Sequence, residues 1–299
     1  MELKQKFGMV DSLFQGVNYV VMVIFTVICI YPFYYLFIYS ISDSHLASTG
    51  IYLWPKGVTF DNYIRLLRLN DIGNAFLITV ARTVIGTVVT LLCCTLFGYL
   101  LTKQEMPFRK WVYRFVIITM YFNAGLIPWY LTMKLLLLQN NFLLYILPSA
   151  VVAFYLILIK TYIESIPKEI EDSGKVDGAG TLTMYFRIIL PLSMPIVATV
   201  IIFNAVGQWN SWVDNYFLVQ NKNLQTLQLI LLNYLRDSEM LANASALQIL
   251  QKGQQHQIVV SSTTIRTTIT MIVVAPIIIV YPFLQRFFVK GIMLGAVKG

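Results

Sequence analysis

Charge is scarce in this chain. Asp, Glu, Lys and Arg make up 12% of its 299 residues, while 58% are apolar. A water-soluble globule carries about a quarter charged residues, so that class is excluded. Only 14 residues are acidic against 22 basic, a net charge of +8. The basic residues stand singly or in pairs between apolar runs, with no polybasic block, which argues against nucleic acid as a partner. The three cysteines, Cys29, Cys93 and Cys94, sit inside apolar runs. There a thiol behaves as a small hydrophobe, so neither a disulfide framework nor a metal site is expected. The two histidines, His45 and His256, lie far apart in sequence. Apart from Glu171-Asp172 no tight carboxylate pair accompanies them, which removes the acid, base and ligand clusters of a membrane enzyme. The phosphate-binding pattern Gly-x-x-x-x-Gly-Lys-Ser/Thr is also missing, so the chain has no means of cradling a nucleotide.

What is present is long uncharged sequence. Mean hydropathy is +0.70, and stretches able to cross about 30 Å of hydrocarbon recur along the whole length. They predict an all-α integral membrane protein, a single domain over 1–299, with six spans at about 17–41, 77–102, 112–133, 141–160, 188–213 and 265–285. Pro32 is expected to bend the first. Lys4 and Lys6 precede that stretch, which is too long for a signal h-region and lacks a cleavage site, so an uncleaved helix is expected. Lys134 is the only charge between the third and fourth spans; Gln139-Asn140-Asn141 reads as a turn between them, and one re-entrant region is the alternative. No acidic residue lies inside the six windows, unlike the buried carboxylates of ion-driven transporters.

An even number of spans places both termini on one side. Most basic residues fall on the inner segments when that side is the cytoplasm, and the short segment holding Lys103, Arg109 and Lys110 votes most clearly. The expected location is the cytoplasmic membrane, multi-pass, with both termini inside. Trp54, Trp111, Trp129 and Trp212 fall near the expected interfaces. Residues 160–187 are then inside, and 43–72 and 221–263 outside.

The inner segment carries a local pattern. Pro167 suits a first helical turn, and Glu169, Glu171 and Asp172 favour the positive end of that helix. Asp177-Gly178 breaks the run. A second helix is predicted from Thr181 as N-cap, with Leu182, Tyr185, Phe186 and Ile189 near one face until Pro191 and Pro195. A cytoplasmic helix-turn-helix over about 164–187 follows.

This segment resembles the EAA loop of ABC import permeases: a Glu, a glycine seven residues on, then Ile-x-Leu-Pro, matched here by Glu171, Gly178, Ile188, Leu190 and Pro191. The match departs at Asp172 and Ser173, where the family has two alanines that permit close helix packing. Lys175-Val176-Asp177-Gly178-Ala179 is similar to the carbohydrate branch of the family, the maltose and oligosaccharide type. Gly125-Leu126-Ile127-Pro128, Gln208-Trp209-Asn210-Ser211-Trp212 and Gly295-Ala296-Val297-Lys298-Gly299 extend the likeness along the chain. The resemblance implies a permease subunit, not itself an enzyme, that imports a carbohydrate, an oligosaccharide being the expected cargo, with no cofactor or metal. It implies cytoplasmic ATPase subunits gripping the loop through Glu171, Asp172, Asp177, Gly178, Ile188, Leu190 and Pro191. It also implies a second homologous permease, as a heterodimer, and an extracellular substrate-binding protein, all in a lipid bilayer. A permease for peptides or amino acids is the nearest alternative, and a polytopic enzyme on lipid-linked sugars a more distant one.

Polar groups inside apolar spans face the bundle interior or a water path, because lipid leaves them unsatisfied. Asn123, Asn204 and Gln208 are such groups, and Tyr121, Trp129, Trp209 and Asn210 add ring faces and amides suited to a sugar. Helix-helix contacts or interfacial anchoring are the competing roles. Arg82, near the outer start of the second span, must find a partner or snorkel outward, and snorkelling is the expectation. In the outer segment, apolar runs at 224–235 and 241–250 are expected to form surface helices that meet the binding protein, a simple lid being the alternative.

Overall fold

A computed structural model describes residues 9–47, 50, 53–68, 70–236 and 257–296. Among these the structure is helical, with one isolated bridge between Ser42 and Val58 and no strand. Two compact units divide the chain: 1–68 with 233–272, and 69–232 with 273–299.

In the first unit, α1 (Met9–Ser40) runs through Pro32 as one helix, so the expected bend does not interrupt it. Its side chains over 13–33 are exposed and, apart from Gln15, Asn18 and Thr26, apolar. Near its end Ile38 and Tyr39 pack with Ala47. Asn62, on α2 (Asp61–Arg68), donates to the carbonyls of Ser40 and Ser42 at 3.0 and 2.9 Å and fastens the following turn.

The second unit is built on α3 (Asn70–Leu100). Around it stand α4 (Arg109–Tyr121), α5 (Leu126–Leu135), α6 (Ala153–Glu164), α7 (Lys168–Val176), α8 (Thr181–Leu192), α9 (Met194–Asn210) and α10 (Val213–Leu218). One core cluster joins five of them: Cys94 and Tyr99 of α3, Val116 of α4, Leu156 and Ile159 of α6, Met184, Tyr185 and Ile189 of α8, and Val200 of α9. The last helix, α11 (Gln257–Ala296), passes through both units.

Among the described residues three helical stretches are long and apolar enough to cross a bilayer: Leu13–Ser40, Ile72–Leu100 and Thr263–Pro282. Two bent pairs meet the same criterion together. Phe142–Ser149, two 3-10 turns, meets Ala153–Glu164 at 46°, and Thr181–Leu192 meets Met194–Asn210 at 78°. The expected third span is broken, because Phe122 is extended and Gly125 takes a φ of 84° between α4 and α5. The Asn123 side chain caps this break by accepting from the Gly125 amide at 2.9 Å. Of the two apolar runs expected to form surface helices, the first is helical over 227–236, while the run at 241–250 lies outside the described residues, as do 297–299.

The second helix of the inner segment differs in detail from expectation. Thr181 is its first residue and Gly180 the N-cap. Residues Tyr185–Ile189 form a π-helical stretch, whose wider turn rotates the buried face. Met184, Tyr185 and Ile189 are consequently buried, while Leu182 and Phe186 point outward. Pro191 does not end this helix, which turns sharply only at Ser193.

Candidate translocation cavity and coupling helices

The breaks converge. Non-helical backbone at membrane depth is tolerated where it lines a cavity, since carbonyls and amides released from a helix need partners that lipid lacks. A cavity of about 540 Å³ lies where α3, the 122–125 break, the 3-10 turns and the α9–α10 corner meet, lined by Arg82, Asn123, Trp129, Tyr145, Gln208 and Asp214 among others.

Arg82 does not snorkel. Its side chain is 4% exposed and makes a two-pronged pair with Asp214, Nη1 to Oδ1 at 3.0 Å and Nη2 to Oδ2. Nε donates to Gln208 Oε1 at 2.9 Å, Nη1 also donates to the Ser211 carbonyl at 3.2 Å, and the guanidinium lies 4.6 Å over the Tyr145 ring. A planar fork matched to a carboxylate in this way is both strong and directional. The network continues outward from the pair. Gln208 Nε2 donates to Ser149 Oγ at 2.8 Å, and Asn215 Nδ2 donates to Tyr145 Oη at 2.6 Å. Tyr145 Oη donates in turn to the Leu224 carbonyl at 2.6 Å. The two charges cancel, so the wall presents amides, hydroxyls and the Trp129 ring.

Of the seven residues singled out for a substrate path, Asn123, Trp129, Asn204 and Gln208 line this cavity. Asn204 is buried, and its Nδ2 has no hydrogen-bond partner among the described residues. Three are placed elsewhere. Tyr121 ends α4 with 79% exposure. Trp209 turns away from the cavity: its Nε1 donates to the Val273 carbonyl at 3.1 Å, and its ring meets Phe76 edge-on in an apolar groove. Asn210 donates to the Val206 carbonyl and accepts from Gln228, both at 2.9 Å. Arg82 was legible in the sequence with the wrong disposition expected for it, and its partner Asp214 was missed.

Helices α7 and α8 form a compact pair. α7 ends in a Schellman motif: the Gly178 amide donates to the Lys175 carbonyl at 3.0 Å and the Ala179 amide to that of Gly174 at 2.9 Å. Asp177 is the C-cap, and Gly178 has the positive φ, 80°, that such a turn requires. The close packing that two alanines would allow falls instead on Gly174, where a Cβ would stand 2.6 Å from Met184 Cε and 3.1 Å from Ile188 Cδ1. Glu171 hydrogen-bonds Lys103 and lies 3.4 Å from Lys175. Burial opposes its charge, but Lys103 and then Lys175 outweigh it and hold the carboxyl below its ordinary value. Asp172 is exposed, Ile188 and Leu190 pack on the core cluster, and Pro191 is exposed.

Residues 94–294 match the family model described as binding-protein-dependent transport system inner membrane component. The chain is 31% identical to the polygalacturonan/rhamnogalacturonan transport system permease protein YtcP of Bacillus subtilis (strain 168), over 97% of this chain and all of that one. It is 33% identical to protein LplC of the same organism, over 91% and 90%. A solved chain from a bacterial ABC transporter that imports the acidic polysaccharide alginate superposes with a TM-score of 0.81 at 30% identity, covering 95% of this chain and all of that one. The chain belongs to the family of inner-membrane components of binding-protein-dependent transport systems.

Proposed function

We propose that the chain is the six-span permease subunit of an ABC importer for a carbohydrate, with the whole of 1–299 acting as one membrane domain. The observation that carries this reading is the polar cavity at converging helix breaks, in a chain whose relatives include permeases named for polygalacturonan, melibiose and arabinooligosaccharides. Amides at Asn123, Asn204 and Gln208 pair with sugar hydroxyls, and Trp129 supplies a face for C–H groups. Tyr121, Trp209 and Asn210 stay outside the path. The broken stretches at 109–135 and 142–164, with the stretch of about 188–213 that leaves the knob, complete three spans beside the continuous helices, and both termini are cytoplasmic.

α7 and α8 form the knob that cytoplasmic ATPase subunits grip, Glu171, Asp172, Asp177 and Gly178 shaping its turn and Ile188, Leu190 and Pro191 seating its second helix. Val176, Leu182 and Phe186 give it an exposed apolar surface, which suits a protein partner. A second homologous permease pairs with this chain as a heterodimer, and an external binding protein delivers the cargo to the outer segments.

Topology gives the test. In a background lacking Cys29, Cys93 and Cys94, a cysteine at Val176, which is 87% exposed, is expected to resist an impermeant maleimide added outside intact cells and to react after permeabilisation. A cysteine at Trp54, 78% exposed in an outer segment, is expected to react from outside. Labelling of position 176 in intact cells contradicts the topology.

A further inference from the structure

The motif residue Glu171 already has a partner within the chain. Lys103, in the turn after α3, hydrogen-bonds Glu171 Oε1, and its Nζ stands 4.1 Å over the Tyr99 ring. The two side chains are only 15% and 25% exposed. Tyr99 leads on into the core: its ring lies 5.5 Å from that of Tyr185, whose hydroxyl is 2.6 Å from Thr95 Oγ1 on α3. The second cation near Glu171, Lys175, is 55% exposed and four residues on along the same helix, so it cannot tie α7 to anything beyond itself. Lys103 can. It stands just past the end of the helix that carries Arg82 into the cavity, and the seventeen steps from Arg82 to Tyr99 span roughly 25 Å of unbroken α-helix. Beside the pair is a second cavity, about 560 Å³, walled by Glu105, Met106, Ala179 and Thr181, which leaves the contact room to rearrange.

We infer that Lys103 is the positioning residue of coupling: through Glu171 it fastens the ATPase-facing helix α7 to the cytoplasmic end of α3, so that movement of the knob reaches the cavity wall along a rigid rod. This rests on the proposed role of α7 and α8. A pair separated by 68 positions in sequence also explains why the motif glutamate alone does not predict it.

The test uses the assembled importer and the chain by itself. In the assembled importer, Lys103→Ala is expected to keep its ATPase subunits in a pull-down, to lower sugar uptake about tenfold, and to raise the ATP hydrolysed per sugar. Lys103→Arg is expected to retain most uptake, and the exchanged pair Lys103→Glu with Glu171→Lys to recover to within about threefold of the unchanged protein. In the chain alone, Lys103→Ala is expected to speed amide hydrogen exchange over 168–176 about tenfold, with the exchanged pair reversing it. Unchanged exchange overturns the anchor whatever transport does. Faster exchange with unaltered uptake and stoichiometry overturns its part in coupling. Absence of ATP-dependent uptake in the unmodified importer overturns the proposed function instead, and the anchor is then judged on exchange.

Discussion

Replacing Arg82 by alanine is expected to be the most damaging single change in the second unit. The substitution leaves Asp214, 13% exposed, with its carboxylate facing a wall that has lost its cation, and removing one member of a buried pair costs about 3–5 kcal/mol. Gln208 Oε1 and the Ser211 carbonyl lose their donor as well. The expected result is a large drop in the thermal midpoint of the detergent-solubilised chain and little protein in the membrane. Arg82→Lys keeps the charge but loses the fork and the Nε bond to Gln208, so an intermediate loss is expected. The double change Arg82→Met with Asp214→Leu is expected to recover most of the stability, since apolar replacement of both partners is often neutral. Uptake stays impaired, because Gln208 has lost the Arg82 donor that orients its amide in the cavity wall. Equal midpoints for Arg82→Ala and the unchanged chain would show that the pair is not buried in the folded protein.

The second large effect separates two glycines four residues apart. Gly178→Val is expected to spoil coupling with modest loss of the folded chain, because a branched residue at φ 80° is strained by about 1–3 kcal/mol while open space surrounds the position. Gly174 looks in sequence like a neutral comparison within the first helix. It is not neutral, since a valine there collides with Met184 and Ile188, and overpacking of that kind costs about 1–3 kcal/mol and pushes α7 off α8. The suitable control is Gly180→Ala, where φ is −69° and no atom lies within 4 Å of an added Cβ. Expected transport is near normal for Gly180→Ala and severely reduced for Gly174→Val and Gly178→Val. ATPase retention falls furthest in Gly174→Val, whose two helices no longer close. Normal uptake in Gly178→Val would reduce that glycine to punctuation.

What sequence could supply follows from how local each constraint is. The windows at 17–41, 77–102 and 265–285 coincide with continuous helices, because hydrocarbon demands about 20 uncharged residues in a row wherever a helix crosses. The turn at Gly178 was legible for a similar reason, since a Schellman closure is decided by a few neighbouring residues. The breaks were harder. Gly125, Pro148 and Pro195 are visible punctuation, the last in the first turn after the 78° bend at Ser193, but residue types alone do not give the angle of each break. The π-helical stretch escaped because a 3.6-residue period was assumed throughout. Arg82 and Asp214 are 132 positions apart, and a lone arginine at the head of an apolar run reads as one that reaches for water. The usable signal was that Asp214 stands one residue past the fifth window: opposite charges, each at the outer edge of a span, share a depth and can pair. Trp209 and Asn210 belonged to the right segment and the wrong face, which composition alone does not distinguish.

The central claim is tested most directly by uptake of labelled oligosaccharide into proteoliposomes. These hold the chain with its partner permease and ATPase subunits, with ATP enclosed and the binding protein outside. The expected result is accumulation that requires enclosed ATP and stops when any one subunit is left out, together with no nucleotide hydrolysis by this chain alone. Sugar accumulation without the ATPase subunits, driven by an ion gradient, would contradict it, as would ATP-driven accumulation of oligopeptides with no carbohydrate moved.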